Sequence, residues 1–253
     1  MAYAPSVDHD DGYFGERVAA LYDSYEDREE FGAADIQATV DFLAELAGEG
    51  PALEFAIGTG RIGLPLSQRG VPTQGIDLSR AMVARLVAKP GGGDVPVTIG
   101  DIATTTVEGS FQLVYLVCNT IMNLTARDAQ MACFRNAAAH LRPGGSFVIK
   151  VMVPELQWLP PGETLHVFAK SDSHWGVDEY DVATQGLVSH HFDRAEDGRF
   201  ELTSIPFRYV WPAELDLMAE QAGMRLSQRW EWWRREPFTN ESRKHVSVWT
   251  KPS

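Results

Sequence analysis

Short apolar runs alternate with amphipathic stretches through the first 150 residues. Leu53–Ile57 reads as a buried strand, and PTQGID is a second one that ends at Asp77. Val95–Gly100, Phe111–Val117 and Ser146–Val153 follow as three more. Between them lie helical patterns. Asp35 is placed as an N-cap for a helix through Leu46, with Ile36, Val40, Leu43 and Ala47 on one face. A helix from Ile62 to Gln68, one capped by Ser79 (RAMVARLVA), and one opened by Thr125-x-x-Asp128 and running to Leu141 complete the series. Strands and helices alternating at this spacing predict a parallel, doubly wound α/β sheet.

After Pro154 the period shortens to two. LHVFAK, VDEYDVA, LVSHHFD and RFELTSIPFRYV alternate as strands do, with Thr184-Gln185-Gly186 and Glu196-Asp197-Gly198 as hairpin turns. These predict a small antiparallel β insertion. Helical pattern returns at Trp211-Pro212-x-Glu214 and runs to Gly223, and Leu226–Trp233 and Lys244–Thr250 close the chain as a hairpin at the sheet edge. Three regions follow from this: a core over residues 1–153, the insertion over 154–210, and a closing helix and hairpin over 211–253. Residues 7–30 carry Val7, Phe14, Val18, Leu21, Tyr22 and Tyr25 at loosely helical spacing.

The chemistry concentrates in LEFAIGTGRIG, residues 53–63. Gly58, Gly60 and Gly63 make the turn after the first strand tight and leave its backbone bare, so a ligand can lie against unshielded N–H groups. Asp77 sits at the next strand end, where a carboxylate can accept both hydroxyls of a ribose. A glycine loop with a later acid also suits a dinucleotide. Two features favour another nucleoside. Glu54 lies inside an apolar strand and needs a polar partner, and a second acidic strand end, Asp101 in VTIGDI, is suited to an adenine amino group with Ile102 flanking the ring.

On these residues the chain resembles class I S-adenosylmethionine-dependent methyltransferases. Their E/D-x-G/A-x-G-x-G loop matches Glu54–Gly60, their ribose acid matches Asp77, their G-D-[IVL] segment matches Gly100-Asp101-Ile102, and LRPGG before an apolar strand matches Leu141–Gly145. The four landmarks occur in order over residues 50–153. The resemblance implies a Rossmann-like seven-stranded sheet with an N-terminal helical lid, and S-adenosylmethionine as cofactor. It assigns Glu54 to orienting the methionyl amine and the backbone of Ala56, Gly58 and Gly60 to the methionine and ribose portions. Asp77 takes the ribose, Leu78 and Met82 pack on adenine, Asp101 and Ile102 read its edge, and Cys118 adds backbone contacts. Ala56 stands where many relatives carry glycine. Tyr13, Tyr22 and Tyr25 fall in the lid, where a phenol can touch the methionyl carboxylate or the acceptor.

A sulfonium methyl needs an in-line nucleophile and a dry pocket rather than a fixed triad. Candidate acceptor-side residues are Asn119 and Asn123 after the fourth strand, and Arg208 and Trp211 at the end of the insertion. Each has a plainer reading: turn or cap residues for the asparagines, a surface ion pair for Arg208. Asn119, Tyr22 and His166 are the catalytic candidates, with His190 and His191 as further possible bases. His190 and His191 are adjacent on a strand, so they point to opposite faces and do not chelate one metal. No metal is expected.

Composition narrows the acceptor. Against 22 Lys and Arg stand 35 Asp and Glu, a net charge of −13 that repels a nucleic-acid backbone. RWEWWRREPF interleaves Trp230, Trp232 and Trp233 with arginines, but on a strand of an acidic protein it reads as core packing or an aromatic pocket wall. Cys118 and Cys133 make neither a disulfide framework nor a zinc site. No apolar run approaches ~18–20 residues, and the first residues lack a basic start and an apolar core, so a cytoplasmic protein is expected. The expected partner is a small molecule, with neither nucleic acid nor membrane, in a chain that could form a homodimer. The expected reaction is methyl transfer to nitrogen or oxygen of a secondary metabolite or amino sugar. An NAD(P)-dependent oxidoreductase, or a methyltransferase fold that only binds the cofactor or cyclises its substrate, are the alternatives.

Overall fold

The computed structural model describes residues 13–24, 32–195 and 197–253. Val7, Tyr25 and Glu196 lie outside them. The elements are α1 (Glu16–Leu21), α2 (Ala33–Ala47), β1 (Ala52–Phe55), α3 (Gly63–Gln68), β2 (Thr73–Asp77), α4 (Arg80–Val87), β3 (Val97–Ile99), β4 (Phe111–Leu116), α5 (Arg127–His140) and β5 (Leu141–Met152). Then come β6 (Leu165–Lys170), β7 (His174–Asp181), β8 (Gly186–Arg194), β9 (Phe200–Arg208), α6 (Pro212–Gln221), β10 (Arg225–Trp230) and β11 (Lys244–Thr250).

Seven strands form one sheet in the order β10-β11-β5-β4-β1-β2-β3. The pairs from β5 to β3 are parallel, and β11 joins β5 and β10 antiparallel. Strand order reverses at β1, so the crevice for a ligand opens beyond the carboxyl ends of β1 and β4. Along β5 side chains alternate between two cores. Phe147, Ile149 and Val151 meet Phe134 and Trp249 on the α5–α6 side, while Val148 meets Phe42, Trp232 and Trp233 on the α2–α3 side. The C-terminal tryptophans are therefore packing residues, and Trp232 donates to Asp35 at 2.9 Å.

Three helix and strand boundaries differ from the pattern reading. α2 begins at Ala33 after Gly32, because Asp35 turns its carboxylate to the Trp232 indole rather than to its own helix. α5 starts two residues after Thr125, with Ala126 at the cap and no side-chain cap bond. The strand expected from Ser146 begins at Leu141. Leu141 pairs with Phe111 and Ser146 with Leu113, so residues 142–145 bulge out, Gly144 taking φ of 77°. Ser79 behaves as read, its hydroxyl accepting from Met82 N–H at 3.0 Å.

The second sheet has the order β6-β7-β8-β9, all antiparallel. On β7, Gly176, Asp178 and Tyr180 face inward while Trp175, Glu179 and Asp181 are exposed. Buried Gln130 on α5 fastens this sheet to the first: its amide donates to Ile121 O and to Arg208 O, both at 3.1 Å. The four-stranded sheet thus overhangs the carboxyl end of β4.

Candidate functional site

The turn after β1 is held open from below. Glu54 is 2 % exposed and opposes Tyr115 directly in the β1–β4 register; the phenol donates to Glu54 Oε2 at 3.0 Å. Burial lifts the Glu54 carboxyl well above its usual range, the Tyr115 bond and the Gly63 amide pull it back, and Asp77 adds to the rise. A Cβ on Gly63 would overlap Glu54 Oε2, so glycine there lets α3 approach the carboxylate. Glu54 therefore lies under the loop, tying it to β4. Ala56 (φ 56°), Gly58 (φ 56°) and Gly60 (φ 75°) are left-handed. For Ala56 that costs roughly 1–2 kcal/mol.

Asp77 is buried at the tip of β2. Its Oδ2 accepts from Gly58 N–H at 2.6 Å and its Oδ1 from Ser79 N–H at 2.8 Å. The two amides orient the carboxylate and draw on two of its roughly four lone-pair positions. Leu78 beside it is 49 % exposed, an apolar surface open to a planar ring. Met82 is instead buried, packed with Phe14, Ala19 and Tyr22 beneath the N-terminal segment, within van der Waals range of Gly58. At the tip of β3, Asp101 is exposed, and its Oδ1 accepts from Ala103 N–H at 2.8 Å. The Ile102 side chain is largely buried and packs with the α5–α6 core.

A second strained turn follows β4, where Cys118 (φ 58°) and Asn119 (φ 62°) are both left-handed. Asn119 Oδ1 accepts from Met152 N–H at 2.8 Å, bolting the tips of β4 and β5 together. That bond gives Asn119 a structural duty. Asn123 ends the short 3-10 helix Thr120–Asn123, half-buried. Beside this turn, Thr39, Arg61, Cys118, Lys150, Trp232 and Trp233 line a small cavity.

The N-terminal segment lies across β1 and β2. Phe14 O accepts from Ser79 Oγ at 2.6 Å, and Tyr22 O accepts from Arg61 Nη2 at 2.6 Å, the guanidinium lying 4.9 Å from the Tyr22 ring. Tyr13 stacks edge-on to Phe14. Asp23 is the latch: it accepts from Thr59 Oγ1 at 2.6 Å and pairs with Lys89 Nζ at 2.7 Å. Burial would raise its carboxyl, but Lys89 and Thr59 outweigh that and hold it below its ordinary value. Asp23 and Lys89, 66 positions apart, carry no local signal of their meeting.

On the acceptor side the structure redistributes the candidates. Arg208 is buried, donating to Gln130, to Gln185 at 2.9 Å and to Glu214 at 2.7 Å. It is a tether between β9, α5 and α6, because both terminal nitrogens are spent internally. Trp211 caps α6, edge-on to Tyr209. His190 faces outward to Ser204 and Glu179, and His191 lies on the opposite face with Ser189. His166 comes within 2.7 Å of Glu155. Among the described residues no three His, Cys, Asp or Glu side chains gather as a metal site.

Residues 52–145 match the family model described as a methyltransferase domain. The structure of the CcbJ methyltransferase from Streptomyces caelestis is 33% identical, covering 95% of this chain and 98% of that one, with a TM-score of 0.83. The chain belongs to the S-adenosylmethionine-dependent methyltransferases. The cypemycin N-terminal methyltransferase of a Streptomyces species is 26% identical over 201 residues, 78% of this chain and 81% of the relative. At the level of fold alone, the methyltransferase also superposes on S-adenosylmethionine-bound CalS10 of Micromonospora echinaspora, an amino pentose methyltransferase. That match has a TM-score of 0.70 and 19% identity, over 92% of this chain and 96% of the other. As a methyltransferase, the protein is an enzyme of the transferase class.

Proposed function

We propose that this methyltransferase moves the methyl group of S-adenosylmethionine to a nitrogen or oxygen of a small molecule, a secondary metabolite or amino sugar, with nitrogen preferred. The observation that carries this reading is a second, antiparallel sheet fastened through Gln130 to the turn after β4, beside the cofactor crevice, where it can contribute side chains to a small acceptor. The names of relatives agree, since CalS10 is an amino pentose methyltransferase and the cypemycin enzyme an N-terminal methyltransferase.

The chain's residues fit the cofactor. Asp77, pre-set by Gly58 and Ser79, would hold the ribose hydroxyls; Asp101 and the Ile102 backbone would meet the adenine edge; Leu78 would cover its face. The left-handed turns at Ala56–Gly60 and Cys118 would receive the amino-acid end, and the Asp23 latch would keep the N-terminal segment over it. Bound S-adenosylmethionine supplies an activated methyl and its own leaving group. What remains for the protein is to orient the acceptor, exclude water and let the acceptor's proton leave. His166, on the second sheet, is the base proposed for that task, and Asn123 a candidate for orienting a substrate polar atom.

Calorimetry with S-adenosylhomocysteine and with NADH tests the cofactor assignment, and transfer of labelled methyl to paired amine and hydroxyl acceptors tests the reaction. Binding of S-adenosylhomocysteine that survives Asp77→Ala unchanged, or tighter binding of NADH, would overturn it.

A further inference from the structure

Under the antiparallel sheet sits a polar cluster that neither core nor cofactor crevice accounts for. Asp178 on β7 faces inward and is only 7 % exposed. Its register partners are His166 on β6 and Ser189 on β8, so the three side chains share one face. Glu155 approaches from below, its Oε2 lying 2.7 Å from His166 Nδ1. That contact is an ion-pair distance without hydrogen-bond alignment, and both His166 Nδ1 and Asp178 Oδ1 are buried without a hydrogen-bond partner. An orphaned carboxylate oxygen in such a place is costly unless something else binds it.

The cluster also stands at the right place. Glu155 lies three residues beyond Met152, within about 11 Å of it along the chain. Met152 N–H is bonded to Asn119 at the β4 tip, at the cofactor crevice. Charge selects the ligand. Asp178 and Glu155 bring two carboxylates; His166 lies between them, Arg243 reaches Glu155 from an exposed position at 3.8 Å, and His190 lies on the sheet's other face. No cation bonds Asp178 itself among the described residues. Burial pushes its carboxyl up to about 6, with Ser189 and His166 pulling it down, Glu155 raising it and His190 lowering it. A group of opposite charge with N–H donors would satisfy the site, and a hydroxyl alone would not.

We infer that Asp178, with Glu155 and His166, recognises an ammonium group on the acceptor, so that the substrates of this enzyme are amines rather than neutral alcohols. This deepens the methyl-transfer reading and rests on it. The test uses the full chain with cyclohexylamine and cyclohexanol, a ring-sized pair differing in one group, and reads dissociation constants by saturation-transfer NMR with and without S-adenosylhomocysteine. The amine should bind about tenfold or more tighter than the alcohol. Asp178→Asn should abolish the preference, and Glu155→Gln should reduce it, both with S-adenosylhomocysteine affinity unchanged. No amine binding, equal binding of the pair, or a preference that survives Asp178→Asn overturns the inference. If that variant fails to fold, an undiminished preference in Glu155→Gln does so instead. Loss of S-adenosylhomocysteine binding by the unmodified chain would count against the methyl-transfer reading alone, because the arm without it still reads the amine.

Discussion

At the tips of β1, β2 and β4 the groups turned toward a ligand are largely backbone: left-handed turns at Ala56, Gly58, Gly60, Cys118 and Asn119, and amides that steer Asp77. On the antiparallel sheet the ligand-facing groups are side chains, Asp178, His166 and Ser189, brought together only by cross-strand register. The first construction recognises what every cofactor molecule has in common. The second can be changed one residue at a time without disturbing a turn, which is where an enzyme would alter its acceptor. The tether between them is itself made of side chains, Arg208 with Gln130, Gln185 and Glu214.

Cutting that tether should have the largest effect. Arg208→Ala strips Glu214 Oε1 and Gln130 Oε1 of their guanidinium donor in a mostly buried site, and a loss of about 3 kcal/mol in urea unfolding is expected. The comparison predicts more than destabilisation: the folded fraction should still bind S-adenosylhomocysteine, since no cofactor contact runs through Arg208. If affinity falls in step with stability, the two regions are not separable as described.

Asp178→Asn should move stability the other way. A carboxyl near 6 in the folded state against 3.8 unfolded takes up protons on folding, so its ionisation weakens the fold increasingly as pH rises from 3.8 to 6. The penalty is complete above pH 6 and absent below 3.8, and is on the order of 3 kcal/mol. The asparagine variant should therefore melt higher than the parent at pH 7.5, and the difference should shrink toward pH 4. A melting gain independent of pH would mean that the carboxylate is not what strains the site. At the cofactor edge, Asp77→Ala should weaken S-adenosylhomocysteine binding tenfold or more, roughly 1.5–3 kcal/mol of charge-assisted hydrogen bonding, read by calorimetry.

The same contrast explains what could be read from the chain. β1 and the glycine loop were legible because a turn that needs left-handed backbone restricts its residues and spaces them locally. The strands of the antiparallel sheet were legible as elements, LHVFAK being β6 without correction, while β7 begins at His174, three residues before the expected VDEYDVA. The meaning of that sheet's residues was not legible. His166 faces Asp178 and Ser189 only once the hairpin register is known, and Glu155 joins them from a different element. Arg208 looked like a surface cation because Gln130, its buried partner, sits 78 positions away on a helix whose pattern does not mark it. Tyr115 gave no sign of bonding Glu54 until β1 and β4 were paired. Asp35 and Thr125 were read as caps by spacing, and tertiary partners or chain geometry overrode both.

The smallest expected effect lies where the N-terminal segment meets the glycine loop. Asp23, just beyond α1, bonds Thr59 of the loop and pairs with Lys89, a side-chain latch beside the Arg61–Tyr22 contact. Because the pair is partly exposed, its worth to stability should stay below about 1 kcal/mol. Its depressed carboxyl makes that contribution present above 3.8 and lost as pH falls through the lower folded value. Asp23→Asn should thus leave melting nearly unchanged at neutral pH, while S-adenosylhomocysteine leaves a few-fold faster in stopped-flow displacement, since the segment opens more often. An unchanged off-rate would show that the backbone bonds from Arg61 to Tyr22 and from Ser79 to Phe14 hold the lid without Asp23, and that even the cover of the cofactor edge is backbone work.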